Sequence, residues 1–215
     1  MKQNLDIKIC GLSTKEAVDA VIADGASHMG LIFFEKSPRH ISLAQALLLS
    51  DHAGKHIKKV PVTVNADDTY LGLILEAVDA DMLQLHGSET PARVAEVKRL
   101  FNLPVMKAVS IREQNDLEKI KPYFGIADQF LFDAKPPEGS DLPGGNGVAF
   151  NWEIMDQLGE DVPYMLSGGL NAGNVSEAVA QSSASAIDAS SGVESAPGIK
   201  DIALIKEFLE TCSSI

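Results

Sequence analysis

Short runs rich in β-branched and apolar residues alternate with amphipathic stretches of ten or more residues along the whole chain, and the alternation occurs eight times. A chain patterned this way is built from βαβ units around a parallel sheet. The strands are expected at 6–10, 29–33, 59–64, 82–85, 105–108, 129–132, 164–166 and 186–188. Helical segments are expected to begin near Thr14, Ser42, Asp67, Glu89, Gln114, Asn151, Asn171 and Lys200, several of them at a Ser, Thr, Asp or Asn able to cap the first turn. Eight units in 215 residues leave about 27 residues each, which leaves little room for insertions. The stretch 134–147 inside the sixth unit is the longest irregular one and is the candidate active-site loop. No GxGxxG follows the first strand, which disfavours a dinucleotide-binding doubly wound sheet. The expectation is one domain over 1–215, an α/β chain closed into a (βα)8 TIM barrel.

Composition narrows what such a barrel acts on. Thirty acidic against eighteen basic residues leave a formal charge of −12, which repels nucleic acid and anionic membranes over most of the surface. A small anionic substrate remains compatible, because a single arginine or a cluster of backbone N–H groups holds a phosphate or carboxylate locally. No apolar leader or long apolar run is visible, and the two cysteines, Cys10 and Cys212, lack the paired spacing of a zinc site or a disulfide framework. A cytoplasmic protein, monomeric or homodimeric, without membrane or nucleic-acid partners, is expected.

In barrels of this kind the chemistry sits at the C-terminal ends of the strands. Strand one ends in Lys8-Ile9-Cys10-Gly11, and the second loop carries Ser37-Pro38-Arg39. Strand four gives Gln84-Leu85-His86-Gly87, strand six Phe132-Asp133, strand seven Ser167-Gly168-Gly169, and strand eight Asp188-Ala189-Ser190-Ser191-Gly192. Side chains alternate along a strand, so Cys10 shares its face with Lys8, and Asp133 with Leu131 and Gln129, while Phe130 and Phe132 face the helices. Both Cys10 and Asp133 then point into the barrel mouth. Each also has a plainer reading: a buried cysteine is often a small hydrophobe, and a strand-end aspartate often caps the loop behind it.

The set Lys8-Ile9-Cys10-Gly11-Leu12, Ser37-Pro38-Arg39, Gln84-Leu85-His86-Gly87, Gly168-Gly169-Leu170-Asn171 and Asp188 through Glu194, arriving in order at successive strand ends, resembles the signatures of the phosphoribosylanthranilate isomerases. The resemblance runs from end to end of the chain. It implies an Amadori rearrangement of N-(5-phosphoribosyl)anthranilate in tryptophan biosynthesis, needing no cofactor and no metal. It further implies Asp133 as general acid, Cys10 as general base, Arg39 on the substrate carboxylate, and Gly168, Gly169, Ser190, Ser191 and Gly192 around the phosphate. His86, Lys8 and Asp188 are candidates for lining the site, with a structural ion pair between Lys8 and Asp188 as the plainer reading. Lys8 and nearby backbone dipoles are expected to favour the Cys10 thiolate, and substrate closure to raise the Asp133 pKa. His28, His40, His52 and His56 are read as structural, and Trp152 as core packing.

The match departs from the family in three places. Gly144-Gly145-Asn146-Gly147 stands where Gly-Gly-Thr-Gly is usual, strand eight reads Ala186-Ile187-Asp188-Ala189 in place of a glycine-valine-aspartate-valine pattern, and Ala172-Gly173 stands where proline is common. The first bears on loop ordering and the others on packing. Three rival functions share the fold. A histidine-pathway isomerase uses an aspartate where Cys10 stands. A non-catalytic sugar-phosphate-binding barrel has no need for Cys10, Asp133 and Arg39 together. A Schiff-base aldolase would use Lys107.

Overall fold

Eight parallel strands close into a ring in a computed structural model that describes residues 5–134, 151–159 and 162–215. The strands are β1 (Asp6–Cys10), β2 (His28–Phe33), β3 (Lys58–Thr63), β4 (Leu83–Leu85), β5 (Val105–Ile111), β6 (Gln129–Ala134), β7 (Tyr164–Leu166) and β8 (Ala186–Ala189). Each pairs with its neighbour in sequence, and β1 closes on β8 with Lys8 opposite Asp188. Every expected strand is present, with ends moved by at most a few residues.

Alternation along the strands divides two environments. Ile7, Ile9, Met29, Leu31, Phe33, Phe130 and Phe132 point outward and pack beneath the helices in one continuous apolar cluster. Met106, Ala108, Leu131, Met165 and Ala186 point inward and fill the barrel floor. The polar side chains that line the barrel mouth stand above that floor, toward the C-terminal ends.

Four of the outer helices are capped as their sequences require. Thr14, Ser42, Asp67 and Thr90 accept backbone N–H groups at the starts of α1 (Lys15–Ala23), α2 (Leu43–Ala53), α3 (Asp68–Ala77) and α4 (Pro91–Phe101). The fourth helix begins after Glu89, because that carboxylate is drawn inward and Thr90 does the capping. The segments after β5 and β6 are 3-10 rather than α-helical, Gln114–Tyr123 and Trp152–Gln157. In the first of these Pro122 supplies no N–H, and Asp116 turns back to accept from Arg112 and Glu113 N–H, which tightens the entry. After β7, α5 (Val175–Ser182) begins four residues beyond Asn171, which Asn174 holds in a turn.

The last unit departs most from expectation. Lys200 does not open a helix; it lies in a small antiparallel hairpin of β9 (Glu194–Ala196) and β10 (Ile199–Lys200), and α6 (Ile202–Ser213) follows, capped by Asp201. Among the described residues no helix is long and apolar enough to cross a membrane.

Candidate active site

A cavity opens at the C-terminal end of the barrel, bounded by Cys10 of β1, Arg39 of the second loop, Gln84 of β4 and His86 just after it, Asp133 of β6, Ser167, Gly168 and Gly169 after β7, and Asp188, Ser190 and Ser191 of β8 and its loop. The residues singled out from sequence thus converge, with two exceptions. Lys8 lies beneath the cavity, and Gly192 does not line it. A Cβ at position 192 would collide with the Leu170 carbonyl, so that glycine lets the loops after β7 and β8 pack against each other. The expected active-site loop lies, beyond Ala134, outside the described residues, as does Gly144-Gly145-Asn146-Gly147.

Cys10 is buried, and its seat depends on two glycines. A Cβ on Gly30, its partner on β2, would stand 2.7 Å from Cys10 Sγ and 3.0 Å from its Cα. Gly11 turns with φ of +81°, and a Cβ there would meet Arg39 Cδ at 2.7 Å. The Cys-Gly dipeptide therefore presents the thiol and at the same point lets the Arg39 chain cross close above it.

Electrostatics around the thiol bear on one expectation: Lys8 does favour the thiolate, but burial works against it. Burial raises the Cys10 pKa above its ordinary 9.0; Lys8 and Lys200 lower it and Asp188 raises it, and burial prevails. Lys8 favours the thiolate less than its charge suggests, because Asp188 Oδ1 accepts from its Nζ at 2.8 Å. Ser167 Oγ donates to the second Asp188 oxygen at 3.2 Å, so this buried pair is held from β7 as well.

Across the mouth, Asp133 is buried with Oδ1 accepting from Ala134 N–H at 2.9 Å. Its Oδ2 lies 3.6 Å from His86 Nε2. His86 Nδ1 is bonded at 2.8 Å to Gln84 Nε2, which fixes the ring and turns Nε2 toward the carboxyl. Gln84 stood in a recognised motif with no role attached to it, and Gly30 was not singled out from sequence; both belong to strand faces whose neighbours become known only once the register is set.

Arg39 is also buried. Its Nε and Nη2 donate to Glu194 Oε1 and Oε2 at 2.7 and 2.8 Å, a two-point fork. Glu194 stood at the edge of a recognised motif with no role attached to it. On the far side, Gly168 and Gly169 take φ of +95° and +65°, and a Cβ on Gly168 would meet Ala134 N at 2.7 Å. This left-handed turn carries bare backbone to the cavity, facing Ser190 and Ser191.

Lys107 is removed from the argument. It points out of the barrel, and Nζ donates to the carbonyls of Leu85, Gly87 and Ala108 at 3.1, 2.7 and 3.0 Å and to Glu89 Oε2 at 3.0 Å. Glu89 in turn accepts from Asn65 and Gly87 N–H. A fully engaged ammonium that tethers the loop after β4 is not a Schiff-base nucleophile facing the cavity. Two of the histidines expected to be structural are held outside the cavity: His28 lies in β2, bonded to Ser27 Oγ at 2.7 Å, and His52 meets Asp19 at 2.6 Å. Trp152 is buried in the outer core.

Residues 7–211 match the family model described as N-(5'-phosphoribosyl)anthranilate (PRA) isomerase. The chain is 59% identical over 205 residues to the N-(5'-phosphoribosyl)anthranilate isomerase of Rhizobium meliloti (strain 1021), with 95% of each chain covered. The crystal structure of phosphoribosyl anthranilate isomerase from Thermotoga maritima superposes with a TM-score of 0.87 at 31% identity, covering 98% of this chain and 100% of that one. A structure of phosphoribosyl anthranilate isomerase in complex with reduced 1-(o-carboxyphenylamino)-1-deoxyribulose 5-phosphate superposes at 0.82 with 29% identity over 98% and 100% of the two chains.

Proposed function

The chain belongs to the N-(5'-phosphoribosyl)anthranilate isomerase family, and from that premise we propose how its side chains divide the Amadori rearrangement of N-(5-phosphoribosyl)anthranilate in tryptophan biosynthesis. The observation that carries the reading is the placement of Cys10 and Asp133 on the rim of one cavity, from β1 and β6, with a buried arginine and a glycine turn bordering the same space.

The substrate lies across the mouth with its phosphate toward Gly168, Gly169, Ser190 and Ser191 and its anthranilate carboxylate toward Arg39. Gly192 contributes by holding the phosphate loop against Leu170 rather than by contact. Two anionic ends held on opposite sides fix the ribose between acid and base. Asp133 gives its proton to the ring oxygen as the C–O bond at the anomeric carbon breaks, leaving a protonated imine on the opened chain. The Cys10 thiolate then takes the proton from the adjacent carbon, the electron pair moves into the new C=C bond, and the enolamine tautomerises to the aminoketose.

The acid and the base need opposite tuning. Asp133 must hold a proton until the ring opens, and the His86 Nε2 edge lies where it can stabilise the carboxylate afterwards. Cys10 must lose a proton against the effect of burial, so the cations nearby matter. Two unpaired thiols, one of them the base, suit the reducing cytoplasm. The chain works as a monomer or homodimer on a small anionic molecule, since each barrel builds the site from its own strands.

The test is turnover of phosphoribosylanthranilate, generated in place from anthranilate and phosphoribosyl pyrophosphate by a separate transferase and followed by its loss of fluorescence. Cys10→Ser and Asp133→Asn are each expected to lower kcat by about 100-fold or more. A variant of either kind with near-parent kcat overturns that residue's assignment.

A further inference from the structure

The β9–β10 hairpin brings two charged side chains to the site that the proposed reaction does not use. Glu194 receives the Arg39 fork on both oxygens. Lys200, paired with Glu194 across the hairpin, donates to Glu194 Oε1 at 2.7 Å and to the Ser190 carbonyl at 2.8 Å, with Ser190 Oγ 3.4 Å away. Ser190 Oγ donates to the Cys10 carbonyl at 3.0 Å. The Arg39, Glu194 and Lys200 side chains are 5%, 3% and 2% exposed. Hydrogen bonds thus run without a break from the guanidinium on one wall of the cavity to the backbone of the cysteine on another.

Three buried charges are a poor means of stabilising a hairpin, since apolar residues of like volume usually serve as well or better. Their geometry does something apolar residues cannot. Glu194 engages one edge of the guanidinium and removes its rotational freedom before substrate arrives, so the ordering cost falls on folding rather than on binding. One carboxylate between two cations leaves a net positive charge beside Cys10.

We propose that Glu194 and Lys200 are positioning residues for the isomerisation: Glu194 aims Arg39 at the substrate carboxylate, and Lys200 ties that grip to Cys10 through Ser190 while placing a cation beside the thiol. This rests on the roles given above to Arg39 and Cys10. Among the described residues, the charged groups that act on the thiol are Lys8 of β1, Asp188 of β8 and Lys200 of β10, while Gly30 of β2, which carries no charge, stands against it. Lys8 is the stronger of the two cations on the thiol, but its partner Asp188 opposes it there, and Lys200 adds a second cation that favours the thiolate.

The experiment uses the full chain in a Cys212→Ser background, so that Cys10 is the one thiol. Glu194→Gln is expected to raise KM about tenfold or more while kcat changes less than about threefold. Glu194→Asp, which keeps the charge and draws the fork back by one methylene, asks the same question and is used in its place where Glu194→Gln does not fold. Lys200→Met is expected to slow iodoacetamide alkylation of Cys10 at pH 8 about tenfold and to displace its pH profile upward, with Lys200→Arg restoring both. An unchanged KM in the Glu194 variant overturns the aiming role, and a lowered KM shows instead that Glu194 competes with substrate for Arg39. A Lys200→Met alkylation profile that superimposes on the parent's overturns the coupling to Cys10. Alkylation reads that coupling whether or not Cys10 is the base, whereas Cys10→Ser turnover reads the base assignment itself, so the two failures are distinct.

Discussion

Lys8 Nζ lies 2.8 Å from Asp188 Oδ1 inside the barrel, at the seam where the first strand pairs with the last. The two residues are 180 positions apart, and their bond joins the ends of the ring beneath the catalytic rim. Burial alone would lower the Lys8 pKa, but the charges and hydrogen bonds of Asp188 and Cys10 together raise it above 10.5. A raised folded-state value means the stabilisation is fully present below pH 10.5 and is lost as pH climbs through the folded pKa. Asp188→Asn, which leaves the ammonium buried without its counter-charge, is expected to cost about 3–5 kcal/mol in urea unfolding at neutral pH, and Lys8→Met with Asp188→Leu far less. A loss below about 1 kcal/mol for the single variant would show that the pair is not desolvated.

Gly30 is a packing requirement of the thiol rather than of the strand. Gly30→Ala places a methyl 2.7 Å from Cys10 Sγ, with the Cys10 Cα only 3.0 Å away, so backbone as well as sulfur must give. The expected result is a fall in kcat of about tenfold to 100-fold from misplacement of the base, with a stability cost of about 1–3 kcal/mol. Steady-state kinetics beside thermal melts check it; full activity would mean that the thiol does not need this seat.

Arg39→Lys keeps the charge but loses the planar fork. It gives up the two-point contact with Glu194 and any two-point grip on a carboxylate. KM is expected to rise about tenfold to 100-fold with kcat less affected. An equal fall in kcat and kcat/KM with KM unchanged would place Arg39 in the transition state rather than in substrate binding.

His28 sets a pH dependence of stability that has nothing to do with turnover. Burial is the main cause of its depressed pKa, about 4 against 6.5; Lys58 and Lys8 push the same way, and Asp6 and Asp81 oppose them. The folded chain therefore binds fewer protons than the unfolded one between those values. The contribution is fully present above pH 6.5 and is lost as pH falls through about 4, amounting to at most about 3 kcal/mol. In chemical denaturation at pH 4.5 and 7, the difference between the two stabilities should be smaller in His28→Asn than in the parent. Equal differences would mean that His28 titrates normally.

Much of this molecule was determined locally. Ile7, Ile9, Phe130 and Phe132 face the helices and Lys8, Cys10 and Asp133 the interior because a strand's period is two, a property readable in five or six consecutive residues. Thr14, Ser42 and Asp67 cap helices because their side chains reach an N–H three positions on. Eight such units imply the barrel, and the barrel implies where the reactive ends gather, so Cys10, Arg39 and Asp133 were legible as one site. Tertiary structure alone decided the contacts between residues distant in sequence. Nothing near Glu194 tells that its carboxylate meets Arg39, 155 positions earlier, or near Gly30 that a cysteine stands against it. Lys200 read as the start of a helix because its neighbours are helical; in the hairpin its ammonium finds partners in Glu194 and Ser190. The same holds for the thiol: its charge neighbours Lys8 and Asp188 were nameable from strand parity, but the burial that outweighs Lys8 is set by how the whole barrel packs.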